Sequence, residues 1–111
     1  AITERAMTER EKMLAGQLYR ASDQELVLLR NRARQMTRAY NATIETESDV
    51  RRAVLNRLLG TMKPRIEIEP PFRCDYGVHI HIGDNFYANF GCVILDCGRV
   101  EIGDNVMFGP N

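Results

Sequence analysis

The sequence predicts an α+β protein in which a short N-terminal helical segment is followed by the first coils of a parallel β-helix. The tetrapeptide Ile-Gly-Asp-Asn occurs at Ile82–Asn85 and again at Ile102–Asn105, and an apolar or aromatic pair follows each copy. Inside the second copy, Ile102-Gly103 is echoed six residues later by Phe108-Gly109. A hexapeptide spacing within a repeat of about eighteen to twenty residues is typical of three flat faces per turn of a solenoid. Before Gly60 the apolar residues instead follow a helical spacing.

Composition limits the classes of protein that this chain can represent. It has 111 residues, of which 44% are hydrophobic and 27% charged, as expected for one globular domain or two very small ones. Fifteen basic and fifteen acidic residues cancel, so no global field recruits nucleic acid or an anionic membrane. No apolar run approaches the roughly 20 residues of a membrane span, and we therefore expect a cytoplasmic protein.

The cysteines Cys74, Cys92 and Cys97 form no C-x-x-C pair. An odd number without such spacing predicts reduced thiols that pack in the interior, rather than a disulfide framework or a zinc knuckle.

Residues 1–60 are predicted to form helices. In the first helix, Met7, Leu14 and Leu18 fall near helical spacing. Ser22 and Glu25 have the spacing of a capping box at the start of the second helix. One apolar stripe is predicted along that helix, made of Leu26, Leu29, Ala33, Met36 and Tyr40.

The third helix is predicted to begin at Ser48, a good N-cap residue, and to end at Gly60. Its apolar face would carry Val50, Val54 and Leu58. All three helices are amphipathic and must pack on another element.

Residues 61–111 are predicted to form the start of the solenoid. Ile66 and Ile68 alternate with glutamates, as in a half-buried strand. The same alternation predicts an inward set of Val78, Ile80, Ile82, Phe86, Ala88, Phe90, Cys92, Ile94 and Val100. Ile82, Phe86, Phe90 and Ile102 are therefore candidate core residues, and Gly83 and Gly103 are expected where a turn leaves no room for a side chain.

Two groups of charged or ligating residues invite a functional interpretation. Arginines are dense in the helices, at Arg30, Arg32, Arg34, Arg38, Arg51 and Arg52. Because no aromatic residues interleave with them for base stacking, a solvated face is favoured over a nucleic-acid interface. His79 and His81 are expected to point outward from one strand, and without a third ligand no metal site is predicted.

Several segments together resemble the maltose and galactoside O-acetyltransferases. They are Ala15–Tyr19, Arg73–Gly77, Gly83–Phe90 and Ile102–Val106. The likeness as a whole extends over nearly the whole chain. The run Asn-Phe-Tyr-Ala-Asn-Phe at Asn85–Phe90 is a specific signal, far stronger than the hexapeptide pattern alone. Phe72–Gly77 and the Leu-Tyr-Arg segment are typical of the maltose branch.

The resemblance implies an acetyl-CoA-dependent sugar O-acetyltransferase with a maltose- or glucose-like acceptor. It also implies a left-handed parallel β-helix with a helical N-terminal cap, and a homotrimer with active sites between subunits. In this family a histidine removes the proton from a sugar hydroxyl, which then attacks the thioester carbonyl. An imidazole suits such general-base catalysis because its pKa lies near the working pH.

The same resemblance assigns acceptor-site roles to four residues. Asp75 occupies a position where the family places Ser or Asp to bind the sugar, and a carboxylate can accept from two vicinal hydroxyls. Tyr87 and Asn89 match a Tyr-x-Asn pair, whose Asn amide could donate to the oxyanion of the tetrahedral intermediate. Arg30 aligns with a helical arginine that frames the sugar pocket.

Two departures from the galactoside branch favour a different acceptor. An acidic residue of that branch is replaced by Ala21, with Asp23 two residues away. A second acidic sugar contact falls at Cys97, beside Asp96.

The resemblance also implies that the sequence is truncated. In the family the catalytic histidine and the CoA-binding sites follow the Gly-Pro-Asn turn that is found here at Gly109–Asn111. We therefore expect these 111 residues to lack the general base, to bind acetyl-CoA poorly and to be inactive alone. The alternative is a non-catalytic interaction module that assembles with complete acetyltransferase subunits.

Overall fold

The computed structural model describes residues 6–111, in which helices precede strands. The helices are α1 (Glu9–Leu14), α2 (Gln24–Asn41) and α3 (Ser48–Leu58). The strands are β1 (Thr61–Met62), β2 (Ile66–Ile68), β3 (Phe72–Cys74), β4 (Ile80–Ile82), β5 (Phe86–Ala88), β6 (Cys92–Ile94), β7 (Val100–Ile102) and β8 (Met107–Phe108).

The strands wind into a coil with three faces. They form three parallel sheets in the orders β1-β4-β7, β2-β5-β8 and β3-β6. Pairing joins Ile66 to Phe86, Phe72 to Cys92 and Ile80 to Val100, so each partner lies twenty residues further along the chain. The repeat length predicted from the Ile-Gly-Asp-Asn copies is therefore confirmed as one turn of the coil.

Helices and strands share one apolar core. The buried cluster combines Ala33, Tyr40, Leu55 and Leu58 from the helices with Ile68, Phe72, Ile80, Ile82, Phe86, Ala88 and Cys92 from the coil. Helix α2 packs against β3 and thereby covers one face of the coil. The division of the chain at residue 60 into two domains stays a prediction.

The apolar stripe predicted for α2 is confirmed. Leu26, Ala33 and Tyr40 are at most 1% exposed, and Leu29 and Met36 pack against the buried clusters. The predicted cap is wrong, because Asp23 is the N-cap residue and its carboxylate accepts from the Glu25 amide at 3.1 Å.

The first and third helices differ more from their predicted patterns. Met7, Leu14 and Leu18 are all exposed, and α1 instead buries Met13. A capping box is present in α1, between Thr8 and Glu11.

In α3, Glu47 occupies the N-cap position and Ser48 is the first helical residue. Val50 is 46% exposed, whereas Leu55, which the predicted stripe omitted, is buried with Leu58. Gly60 follows the helix end where a Cβ would lie 2.4 Å from the Val78 carbonyl oxygen, so close backbone approach requires the glycine.

The turns of successive coils are held by stacked asparagines. Asn85 and Asn105 adopt positive φ values of 57° and 59°, and the Asn85 Nδ2 donates to the Asn105 Oδ1 at 2.9 Å. A Cβ on Gly83 would lie 2.4 Å from the Asp104 Oδ1, as expected for a crowded turn. At Gly103 no atom of residues 6–111 lies within 4 Å of that position, and the expectation for this glycine stays a prediction.

Phe90 is not a core residue, contrary to the prediction. It is 55% exposed, whereas Phe86 and Ala88 before it and Cys92 after it are buried. Strand β5 ends at Ala88, and Gly91 turns the chain with a φ of 83° before β6 begins. This corner interrupts the strict alternation on which the prediction depended, and Phe90 therefore points outward.

The C-terminal end of α2 is bonded directly to β3. The Asn41 side chain donates to the Phe72 carbonyl oxygen at 3.0 Å and accepts from the Phe72 amide at 2.8 Å. Next to it, the Tyr40 ring meets the Phe72 ring edge-on at 6.5 Å, and the Tyr40 hydroxyl donates to the Ile68 carbonyl oxygen. These contacts fix the position of the helix on the coil.

None of the helices in residues 6–111 is long and apolar enough to cross a membrane.

Replacing Asn41 by Ala is expected to lower the free energy of unfolding by about 1–3 kcal/mol, because the Phe72 amide and carbonyl lose their partner. Urea denaturation of the variant and its parent measures the difference. Asn31→Ala, at an exposed position of the same helix, is the control and should leave stability nearly unchanged. Equal midpoints for the two variants would contradict the role assigned to Asn41.

The 111-residue chain expressed alone is expected to associate with itself. Within residues 6–111, strands β6, β7 and β8 each have a single partner strand, and Met107 is 77% exposed. Open parallel edges with apolar side chains pair with other chains. Sedimentation velocity across a concentration series measures this association. Met107→Lys should weaken it, and a sharply melting monomer at all concentrations would disprove the expectation.

Stability is expected to fall in alkali because the buried Tyr40 and the partly buried Cys74 keep their protons in the folded chain. Burial raises the pKa of Tyr40 from 10.0 to about 12, and burial together with Asp96 and Asp75 raises that of Cys74 from 9.0 to about 12. The unfolded chain loses these protons first, so stability is retained below pH 9.0 and lost as pH rises toward about 12. Denaturation midpoints across this range test the expectation. In Cys74→Ala, stability should decline less steeply with rising pH than in the parent. An equal slope in the two proteins would contradict the role assigned to Cys74.

Candidate functional site

Arg30 extends from α2 toward the loop that follows β3. Its Nη1 donates to the Tyr76 hydroxyl oxygen at 3.0 Å and its Nη2 donates to the Ala21 carbonyl oxygen at 2.7 Å. The guanidinium carbon lies 5.9 Å from the centroid of the Tyr76 ring, within the range of a cation–π contact. Since Tyr76 is only 2% exposed, it provides a fixed base for the guanidinium group.

Asp75 lies immediately after β3 and is bonded to a cysteine. The Cys97 Sγ donates to the Asp75 Oδ2 at 3.3 Å. The Tyr19 hydroxyl in turn bonds to Cys97. This bond is the largest cause of the raised pKa of Tyr19. Burial, followed by the bond to Asp75, raises the pKa of Cys97, so the thiol remains protonated and able to donate.

These contacts form a group that we call the Tyr76 cluster, made of Tyr19, Arg30, Asp75, Tyr76 and Cys97. It brings together two predicted site residues, Arg30 and Asp75, which are far apart in sequence. It also contains Cys97, one of the two positions where the sequence departs from the galactoside branch. The other such position, Ala21, contacts the cluster through its carbonyl oxygen.

A buried carboxylate that was not among the candidate site residues holds this loop in place. Asp96 is fully buried, and its Oδ1 accepts from the Tyr76 amide at 2.8 Å while its Oδ2 accepts from the His79 amide at 3.2 Å. A carboxylate that accepts two backbone N–H groups fixes the path of the chain between them. The available signal was an acidic residue directly after the apolar run of β6.

His79 is buried in this network, so the prediction that it points outward was wrong. It lies in the turn before β4, is 5% exposed, and packs its ring 5.4 Å from that of Tyr76. The Arg10 Nε donates to its Nε2 at 3.3 Å, which leaves Nδ1 as the donor to the Asp96 carbonyl oxygen at 2.8 Å.

His81 lies in β4 and is half-buried. Its Nδ1 bonds to the Thr61 hydroxyl at 2.9 Å, so the two histidines do not share a site. In the described part of the chain, no group of three or more His, Cys, Asp or Glu side chains could hold a metal ion.

Tyr87 and Asn89 lie on another face of the coil. Tyr87 is in the middle of β5 and lines a cavity of about 260 Å³ with Arg52, Arg65 and Glu67. Burial, followed by Glu69 and Glu67, raises its pKa, which keeps the phenol neutral and able to donate.

Asn89 follows β5 at the corner of the coil. Its Oδ1 accepts from the Phe90 amide at 2.8 Å, which fixes the orientation of the side-chain amide. Between residues 6 and 111, its Nδ2 has no hydrogen-bond partner and is free to donate to a ligand.

The predicted site residues therefore fall into two groups within one chain. No hydrogen bond among the described residues joins Tyr87 or Asn89 to the Tyr76 cluster. Asp75 directly follows a strand of the β3-β6 sheet, whereas Tyr87 belongs to the β2-β5-β8 sheet.

Comparison with known proteins shows which proteins this chain is similar to. Residues 12–63 match the maltose acetyltransferase hexapeptide capping motif. The crystal structure of a maltose O-acetyltransferase from Clostridium difficile 630 superposes with a TM-score of 0.91 and 48% identity, over 96% of this chain and 57% of that one. The chain is thus similar, in sequence and in fold, to part of the maltose and galactoside O-acetyltransferases.

Two further proteins are also similar to this chain. Nodulation protein L of Rhizobium meliloti (strain 1021) is 43% identical over 93% of this chain and 56% of its own length. A galactoside acetyltransferase solved in complex with coenzyme A superposes with a TM-score of 0.89 and 35% identity, over 96% of this chain and 53% of that chain. The chain thus spans about half the length of the relatives that it matches.

Asp96→Asn is expected to lower the free energy of unfolding by about 1–3 kcal/mol, because an amide in place of one acceptor oxygen leaves the Tyr76 or His79 amide unpaired. Urea denaturation measures the change. Asp49→Asn, at an exposed position of α3, is the control and should change stability much less. If Asp96→Asn lowers the free energy of unfolding no more than Asp49→Asn does, the buried carboxylate does not hold the loop.

Proposed function

We propose that this chain is the acceptor-binding part of an acetyl-CoA-dependent sugar O-acetyltransferase whose acceptor is maltose, glucose or a related sugar. The observation that carries the proposal is the Tyr76 cluster, in which Arg30 bonds to the buried Tyr76 and Asp75, the residue before it, bonds to Cys97. The likeness to a solved maltose O-acetyltransferase supports a maltose-like acceptor. A likeness to structures bound to coenzyme A or its acetyl form supports acetyl-CoA as the acyl donor.

Each proposed site residue has a chemical role. Asp75 accepts hydrogen bonds from sugar hydroxyls, and Arg30, fixed on Tyr76, frames the pocket. Tyr87 offers its ring face and hydroxyl to the sugar. Asn89 presents its unpaired Nδ2 to the oxyanion of the tetrahedral intermediate.

The general base and the acetyl-CoA site are proposed to come from a part of the protein outside these 111 residues. Neither histidine present suits the role of base. His79 is buried with both ring nitrogens bonded, and His81, whose Nδ1 bonds to Thr61, belongs to neither group of proposed acceptor-site residues. A general base needs a free ring nitrogen within reach of the sugar hydroxyl.

The assembly is proposed to be a homotrimer of left-handed parallel β-helices with acceptor sites between subunits. The separation of Tyr87 and Asn89 from the Tyr76 cluster supports this arrangement, because one subunit could supply strand β5 to the cluster of its neighbour. A cytoplasmic location, where acetyl-CoA is available, belongs to the same proposal.

A second candidate function is a non-catalytic interaction module that docks on complete acetyltransferase subunits. The observation in its favour is that, among the strands of residues 6–111, β6, β7 and β8 each have one edge without a partner strand. Co-expression with a tagged complete relative distinguishes the two candidates. Co-purification of the chain in mixed oligomers supports the module, and its absence from them rejects it.

A chimera tests the acceptor site directly. Residues 6–111 replace the matching part of the Clostridium difficile maltose O-acetyltransferase, and release of CoA in the presence of maltose is measured. The chimera should be active, and Asp75→Ala should lower its kcat/KM at least about tenfold by removing a charge-assisted hydrogen bond to the sugar.

The control is Asp49→Asn, which lies outside both site groups and should leave kcat/KM unchanged. A folded, trimeric chimera without activity toward any sugar would reject the proposed function. An active chimera that tolerates Asp75→Ala would reject only the role of Asp75.

A further inference from the structure

A cavity of about 170 Å³ lies where α2 packs on β3. It is lined by Arg34, Thr37, Arg38, Arg73 and Cys74, and we call it the arginine seam. Arg34 and Arg38 are one turn apart on α2, and Arg73 is the central residue of β3. None of these five residues is among the proposed acceptor-site residues.

The three arginines of the seam lack a counter-charge. Within the described residues, Arg10, Arg65 and Arg99 pair with carboxylates, but Arg34, Arg38 and Arg73 form no ion pair and no side-chain hydrogen bond. Asp75 and Asp96 are near enough to raise the pKa of Cys74, after the larger effect of burial, but neither pairs with a seam arginine. Since the whole chain is neutral, this surface is a local concentration of positive charge.

The seam is built on elements whose relative position is fixed. The reciprocal bonds between Asn41 and Phe72, at 3.0 and 2.8 Å, join the end of α2 to the start of β3. Thr37, at the base of the cavity, is 5% exposed and bonds to the Arg34 carbonyl oxygen at 3.1 Å. The arginine side chains therefore extend from a rigid frame, which lowers the entropy that a ligand must overcome.

We propose that the arginine seam binds a phosphate group. Guanidinium groups match the oxygens of phosphate in a planar, two-pronged geometry, and three of them suit a dianion better than a single carboxylate. The cavity is smaller than the roughly 300 Å³ at which pockets for drug-sized ligands begin, so it admits one such group and not a whole metabolite. No aromatic residue lines it, and this separates it from a site that stacks nucleic-acid bases.

The test uses the 111-residue chain labelled with ¹⁵N and titrated with inorganic phosphate at constant ionic strength. The arginine Nε–H signals report binding at the seam. Phosphate should shift the signals of Arg34, Arg38 and Arg73. The substitution Arg73→Ala should raise the dissociation constant for phosphate at least about tenfold. Arg73→Lys keeps the charge but loses the planar guanidinium group. Its dissociation constant for phosphate should lie between those of the parent and of Arg73→Ala. Acetate, a monoanion, should bind more weakly than phosphate.

Arg57→Ala is the matched control, since Arg57 is an exposed arginine on another helix. It should leave phosphate affinity unchanged. If self-association broadens the spectra, phosphate should still raise the Tm of the parent and of Arg57→Ala, but not that of the Arg34→Ala, Arg73→Ala double variant. Absence of a phosphate effect, an equal effect on all variants, or equal affinity for acetate would overturn the proposal.

Glucose 6-phosphate as a second probe distinguishes the source of the phosphate group. Affinity at or above that of inorganic phosphate assigns the seam to a phosphorylated organic ligand. Weaker binding assigns it to the free ion.

Discussion

Alignment of strands twenty residues apart is the constraint on which the rest of the structure depends. Each inward side chain of one turn lies above its partner in the next, as Ile80 does with Val100 and Phe72 with Cys92. Because side chains alternate along a strand, a slip of one residue would turn every buried side chain to the solvent. The ladder from Asn85 to Asn105 fixes this register at the corners, and helix α2 then covers the face that β3 and β6 present.

The sequence predicted those parts of the fold that have a strong period. The repeat length, the parallel coil and the stripe of α2 follow from spacing alone, since buried positions must recur at the spacing of their element. Predictions failed where the chain leaves a regular element. Phe90 sits at a corner that interrupts the alternation, and His79 lies in a turn before its strand begins. Neither position could be assigned from a two-residue period.

The candidate site was predictable only through resemblance. Nothing in local spacing links Arg30 to Asp75, because a helix and a distant loop must first be folded together before their side chains meet. Asp96 illustrates the same limit. An aspartate two residues before a glycine normally indicates an exposed turn, and here burial of its carboxylate is tolerated since the Tyr76 and His79 amides donate to its two oxygens. A buried charge of this kind is a feature of tertiary structure.

The bond between Asn41 and Phe72 has a consequence for synthesis on the ribosome. Thirty-one residues separate the two partners, so α2 leaves the exit tunnel well before the strand that completes it. Short amphipathic helices are marginal in water until their apolar face is covered. The nascent helical segment therefore remains only marginally stable until the first turn of the coil emerges. During this interval its apolar stripe is accessible to chaperones.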